Sequence, residues 1–187
     1  MNVIPTALEG VLIIEPKVFK DDRGFFAETY HAERYADAGI DVGFVQDNHS
    51  RSEQWTLRGL HAQLARPQAK LVRVLQGAIV DVAVDIRQGS PTFKRWVSVE
   101  LTAENFRQIY VPTGFAHGFC VTSETAEVEY KCSDVYDPSS ELRLIWNDPE
   151  IGVEWPTTEP RLSEKDASGL PLSAWMNQLP TYVERAA

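Results

Sequence analysis

The run Ala78–Ile86 alternates: Val80, Val82, Val84 and Ile86 fall on one face, Asp81 and Asp85 on the other. A period of two belongs to an extended strand, not to a helix. The pattern recurs. Trp96–Leu101 puts Val97, Val99 and Leu101 on one side, and Leu71–Leu75, Phe106–Val111, Phe119–Thr122 and Ala126–Cys132 read as further strands. Between them lie turn signals at Gln76–Gly77, Gln88–Gly89–Ser90–Pro91 and Pro112–Thr113–Gly114. Upstream, Val11–Glu15 and Phe25–Thr29 are short strands joined by a polar turn at Lys20–Gly24. Three short helices are expected: His31–Ala38 with Gly39 as its stop, one starting at Ser163–Asp166, and one in Pro171–Leu179. The last two would close over a barrel. There is no βαβ alternation, glycine-rich phosphate loop or internal repeat. The chain is therefore read as mainly β, an antiparallel sandwich or barrel with a few short helices.

At 187 residues, 43% of them hydrophobic, the chain can bury a sizeable core as a single domain spanning 1–187. Its net charge of −9 excludes a general nucleic-acid binder, which needs a basic face. A small anion could still be held locally by Arg23, Arg58 or Arg73. Cys120 and Cys132 sit in apolar, strand-like stretches and read as buried small hydrophobes of a reducing compartment. Met1–Gly10 lacks the charged and apolar regions of a signal peptide, and no apolar run approaches a membrane span. The expectation is a cytoplasmic protein with no membrane or nucleic-acid partner.

The chemistry gathers around Leu57–Arg58–Gly59–Leu60–His61–Ala62–Gln63, with Gln46–Asp47–Asn48–His49 before it and Lys70 after it. An imidazole takes up a proton near neutrality. A guanidinium clamps phosphate or carboxylate, and an ammonium stabilises an oxyanion. Alternation places Tyr130 with Ala126, Val128 and Cys132, facing inward. Tyr130 is then either a packed phenol bonded to a backbone carbonyl or a proton donor in a cavity. Lys70 shares a face with Val72 and Val74, which suits a lysine facing a cavity. Gln46 and Asn48 share a face, as do Leu57, Gly59, His61 and Gln63. Strict alternation puts Arg58 opposite His61, and a bulge at Gly59 would bring them together. Ser163–Glu164–Lys165–Asp166 is a capping box, so Asp166 either caps a helix or orients His61.

Pro112–Thr113–Gly114–Phe115–Ala116–His117–Gly118 resembles the second cupin signature, PxGxxH. The first signature needs an HxH pair, and here that place reads His61–Ala62–Gln63. Two histidines fall short of a usual catalytic metal site, so no metal is expected.

Together these segments resemble the dTDP-4-dehydrorhamnose 3,5-epimerase family, over about Val11 to Asp166. The resemblance is carried by Asp22–Arg23–Gly24–Phe25–Phe26–Ala27–Glu28, Phe44–Val45–Gln46–Asp47–Asn48–His49–Ser50, Leu57–Arg58–Gly59–Leu60–His61 and Lys70–Leu71–Val72–Arg73. Asp81–Arg87, Pro112–Phe119, Trp146–Asn147–Asp148–Pro149 and Leu162–Asp166 complete it. It implies a cupin-like jelly roll that inverts C3 and C5 of a dTDP-linked 4-keto-6-deoxyhexose without a cofactor. It further implies His61 as base, Asp166 as its orienting carboxylate, Tyr130 as acid and Lys70 beside the C4 oxygen. Gln46, Asn48, Arg58, His117 and Tyr136 match substrate-contacting positions. Arg23, Phe26 and Glu28 match residues that reach the neighbouring site of a strand-exchanged homodimer. Ala62 stands where the family usually has an aromatic residue, and Ala69 where glycine is common. Alternatives are an epimerase inverting only C3 or only C5 of this or another nucleotide sugar, a non-catalytic sugar-binding cupin, and a metal-dependent cupin enzyme. His61, Tyr130 and Lys70 together speak against a pure binder, and the missing HxH against the metal enzyme.

Overall fold

A computed structural model describes residues 1–184. The strands are β1 (Asn2–Pro5), β2 (Leu12–Glu15), β3 (Val18–Asp21), β4 (Gly24–Ala27), β5 (Gln46–Glu53), β6 (Leu57–Gln63) and β7 (Lys70–Gln76). They continue with β8 (Ala78–Asp85), β9 (Trp96–Thr102), β10 (Gln108–Val111), β11 (Phe115–Val121), β12 (Thr125–Cys132) and β13 (Glu141–Arg143). The helices are α1 (Ala32–Asp37), α2 (Glu164–Ala167) and α3 (Leu172–Trp175). A six-stranded sheet runs β1-β2-β10-β7-β12-β5, and a five-stranded sheet runs β13-β6-β11-β8-β9. All pairings within them are antiparallel, which is the expected jelly roll.

Three apolar clusters explain the alternation. The inner faces of both sheets meet through Val72, Val74, Ile79, Ala83, Leu101, Ile109, Phe119 and Val128. The outer face of the five-stranded sheet, with Leu60, Val82, Val84 and Ile86, is covered by Ile151, Leu172, Leu179 and neighbouring tryptophans. The outer face of the six-stranded sheet packs Ile14, Leu71 and Tyr110 against Tyr35 and Ile40 around α1. The valine row of β8 therefore points away from the barrel into the C-terminal cover, while Asp81 and Ala83 point in. Full burial of each such aliphatic side chain is worth about 1.5–3 kcal/mol.

The N-terminal region differs from the sequence reading. Val18–Asp21 is a strand of its own and pairs with Gly24–Ala27 as a separate two-stranded hairpin, with the turn at Asp22–Arg23. The strand expected over Phe25–Thr29 ends at Ala27, and Asp21 caps the turn by accepting the Arg23 N–H at 2.9 Å. This hairpin exposes Phe19, Phe25 and Phe26, at 53%, 64% and 68%. The expected helix over Pro171–Leu179 is the single turn Leu172–Trp175, and β13 occupies a stretch that read as irregular.

Candidate active site

Local departures from regular pairing build the site. On β6, Arg58 pairs with Phe119 of β11 and His61 with His117, so two residues, Gly59 and Leu60, face the single Gly118. Phe119 and His117 lie two apart on one face of β11, and the extra residue puts Arg58 and His61 on that same face. The bulge thus forms where Gly59 allowed it, and Leu57 is displaced to the opposite face from His61, correcting the strict alternation. Glycine is needed on both strands. Gly59 has φ +119°, and a Cβ there would lie 2.5 Å from Gly118 Cα; a Cβ on Gly118 would lie 2.7 Å from the Arg58 carbonyl oxygen.

Between the sheets lies a cavity of about 430 Å³. From the five-stranded wall come Arg58, His61, His117 and Phe119; from the six-stranded wall come Gln46, Asn48, Lys70, Tyr130 and Cys132. Ala62, Gln63, Gln68, Tyr136, Glu141, Ser163, Lys165 and Asp166 complete its lining. His61 Nε2 meets Asp166 Oδ1 at 2.6 Å, with the imidazole side chain 25% exposed and the carboxylate 7%. The helix cap is Ser163 rather than Asp166, whose carboxylate lies against His61. The Ser163 hydroxyl accepts the Asp166 N–H at 3.1 Å, capping α2, and donates to Asp166 Oδ2 at 2.8 Å. Burial pushes the Asp166 carboxyl up, but hydrogen bonds from His61, Ser163 and the Gly59 N–H outweigh it and hold it below the ordinary value. Asp166 is therefore ionised at neutral pH.

Across the cavity, burial raises the Tyr130 phenol, reinforced by Cys132 and opposed by Arg58. Its hydroxyl stays protonated well above neutrality. Lys70, opposite Cys132 in the β7–β12 ladder, is pushed down by burial, against the pull of Cys132, Asp81 and Glu141. His117 points Nε2 at both Asp81 oxygens, each at 2.9 Å, forming a second imidazole–carboxylate pair in the wall. Gln46 Oε1 accepts the Tyr136 N–H at 2.8 Å, and Gln46 Nε2 donates to Asn48 Oδ1 at 3.0 Å. These bonds hold Tyr136 at the rim.

Several lining residues escaped the sequence reading. Glu141 lies in the short strand β13. It accepts from Lys165 Nζ at 2.6 Å, and Lys165 also donates to the Tyr136 hydroxyl at 2.9 Å. Lys165 adjoins Asp166, but nothing local linked it to Glu141. Ala62 lies in the wall between the cavity and a second one of about 280 Å³. Three expected residues are not brought to this cavity. Arg23, Phe26 and Glu28 sit on or beside the exposed hairpin, where Arg23 pairs with Asp21 and Glu28 with Arg34, each at 2.6 Å. Among the described residues, no cluster of three His, Cys, Asp or Glu side chains is placed to hold a metal ion. None of the described helices is long and apolar enough to cross a membrane.

A jelly roll with a polar cavity between its sheets, lined by ionisable side chains, is the cupin class of fold. Residues 5–174 match the family model described as dTDP-4-dehydrorhamnose 3,5-epimerase. A relative of that name from Salmonella typhimurium is 55% identical over 171 residues, covering 90% of this chain and 93% of the relative. One from Neisseria gonorrhoeae is 52% identical over 170 residues, and there the chain spans 52% of the relative's length. A crystal structure of dTDP-6-deoxy-D-glucose-3,5-epimerase from Legionella pneumophila, in complex with dTDP-4-keto-L-rhamnose, superposes with a TM-score of 0.95. It is 49% identical, with 98% of this chain and 99% of that one covered. The chain belongs to the dTDP-4-dehydrorhamnose 3,5-epimerase family, and it is an isomerase.

Proposed function

We propose that the protein epimerises a dTDP-linked 4-keto-6-deoxyhexose at C3 and C5, by proton removal and return through an enolate. The observation that carries this is the His61–Asp166 pair at 2.6 Å on one wall, facing Tyr130 and Lys70 on the other. The ketone acidifies the hydrogens on its neighbouring carbons. His61 removes one, and Asp166 fixes the imidazole and stabilises its charged form. Lys70 holds the enolate oxygen. Tyr130, across the ring, returns a proton from the opposite face and so inverts the carbon. No step needs a redox cofactor or a metal. Arg58 grips the diphosphate; Gln46, Asn48, His117 and Tyr136 contact the rest of the substrate. The ligand of the Legionella pneumophila structure supports this substrate class.

The working unit is a homodimer that exchanges its N-terminal strands, so that the partner subunit's Arg23, the partner subunit's Phe26 and the partner subunit's Glu28 complete the cavity. The exposed aromatic hairpin supports this reading. Residues 1–187 form one domain of a cytoplasmic enzyme, a setting that suits two free, buried cysteines.

The test is proton NMR of dTDP-4-keto-6-deoxyglucose with the purified protein in D₂O. Deuterium at C3 and C5 with inverted configuration at both is expected. Inversion at one carbon alone would make it a mono-epimerase, and absence of exchange would leave a binding protein.

A further inference from the structure

Ser52 closes the inward row of β5 that begins with Gln46 and Asn48, and it is 8% exposed. Its hydroxyl oxygen accepts the Nε–H of Arg58 at 3.0 Å. β5 is the edge of the six-stranded sheet and β6 belongs to the five-stranded one. The bond therefore clasps the two walls beside the turn that joins these strands. Among the described residues no carboxylate pairs with Arg58, which lies exposed in the cavity lining. A long side chain that is free before binding loses rotamer freedom when it grips an anion, and that loss weakens binding. Anchoring Nε beforehand removes the cost. It also leaves both terminal amino groups of the guanidinium for two oxygens of an anion.

We propose that Ser52 is a positioning residue, setting Arg58 in advance for the diphosphate of the nucleotide sugar. The inference rests on the reading that Arg58 grips that diphosphate. Titration calorimetry with dTDP and with thymidine, together with steady-state kinetics, tests it. In Ser52→Ala, Kd for dTDP and KM for the sugar nucleotide rise roughly 3- to 10-fold while kcat stays within about twofold, as expected for one unanchored side chain. Thymidine, which lacks the diphosphate, binds as before. Ser52→Thr keeps the acceptor oxygen and restores dTDP binding. In an Arg58→Ala background, Ser52→Ala adds nothing further to the loss. Unchanged dTDP binding in Ser52→Ala, with weakened binding in Arg58→Ala, overturns the positioning role and leaves the diphosphate reading intact. Unchanged dTDP binding in Arg58→Ala overturns both. An equal loss toward dTDP and thymidine, or a failure of Ser52→Thr to restore binding, reduces Ser52 to a structural hydroxyl and overturns the proposal.

Discussion

Tyr130 and Lys70 carry opposite consequences of burial. The Tyr130 hydroxyl takes no hydrogen bond from any described residue and stays protonated, as the proposed acid role requires. Tyr130→Phe leaves His61 and Lys70 in place, so enolate formation continues while the proton returns from the face it left. In D₂O, NMR is expected to show deuterium entering with retained configuration. Inverted product falls by roughly 10²-fold or more, the scale of a lost general acid. Normal inversion rates would move the acid role elsewhere. For Lys70, burial lowers the ammonium from 10.5, so the folded chain binds fewer protons there than the unfolded chain between the two values. Stability then rises with pH across that window, and below it the charged lysine carries its full penalty. Lys70→Met removes the penalty. Its melting temperature at pH 7 is expected to exceed that of wild type. The gap narrows as pH approaches 10. Turnover falls by roughly 10²–10³-fold for the lost oxyanion donor. A gap that stays constant with pH would show that Lys70 bears no burial penalty.

At the scale of the element, the β6 bulge is the device that assembles the site. It depends on Gly59 and Gly118 approaching each other more closely than any side chain permits. Gly118→Ala would press a methyl group onto the Arg58 carbonyl, with a cost of about 1–3 kcal/mol for overpacking. Urea denaturation is expected to show a lower midpoint at unchanged slope. Turnover should fall as well, because the register that aims His61 at Asp166 is disturbed. A variant with wild-type midpoint and turnover would mean that the strands can separate without loss. Helix α2 acts in the same direction: its cap residue, Ser163, also holds the Asp166 carboxylate, so one hydroxyl both caps the helix and fixes the partner of His61.

For the whole molecule, the β3–β4 hairpin stands apart from both sheets and presents three phenylalanines to solvent. An apolar patch beside Arg23 and Glu28 suits a second copy of the chain. Wild type is expected to sediment as a dimer at micromolar concentration. The double variant Phe25→Asp/Phe26→Asp should sediment as a monomer, keep its circular dichroism and lose activity. A fully active wild-type monomer would overturn strand exchange.

Much of the site was legible because side-chain alternation is local. Tyr130 with Val128, Lys70 with Val72 and Gln46 with Asn48 each follow from a period of two within one strand, and the barrel keeps all three assignments. Three matters needed the tertiary structure. Alternation separates two faces but does not say which faces the partner sheet, so the outward turn of Val82 and Val84 depended on the C-terminal segment that covers them. The shared side of Arg58 and His61 came from pairing with β11, because a bulge is defined only by counting residues against the neighbouring strand. His61 and Asp166 are separated by 105 positions, and Glu141 meets Lys165 from another element. No local pattern encodes those meetings, since they arise where the chain's end folds back over the barrel mouth.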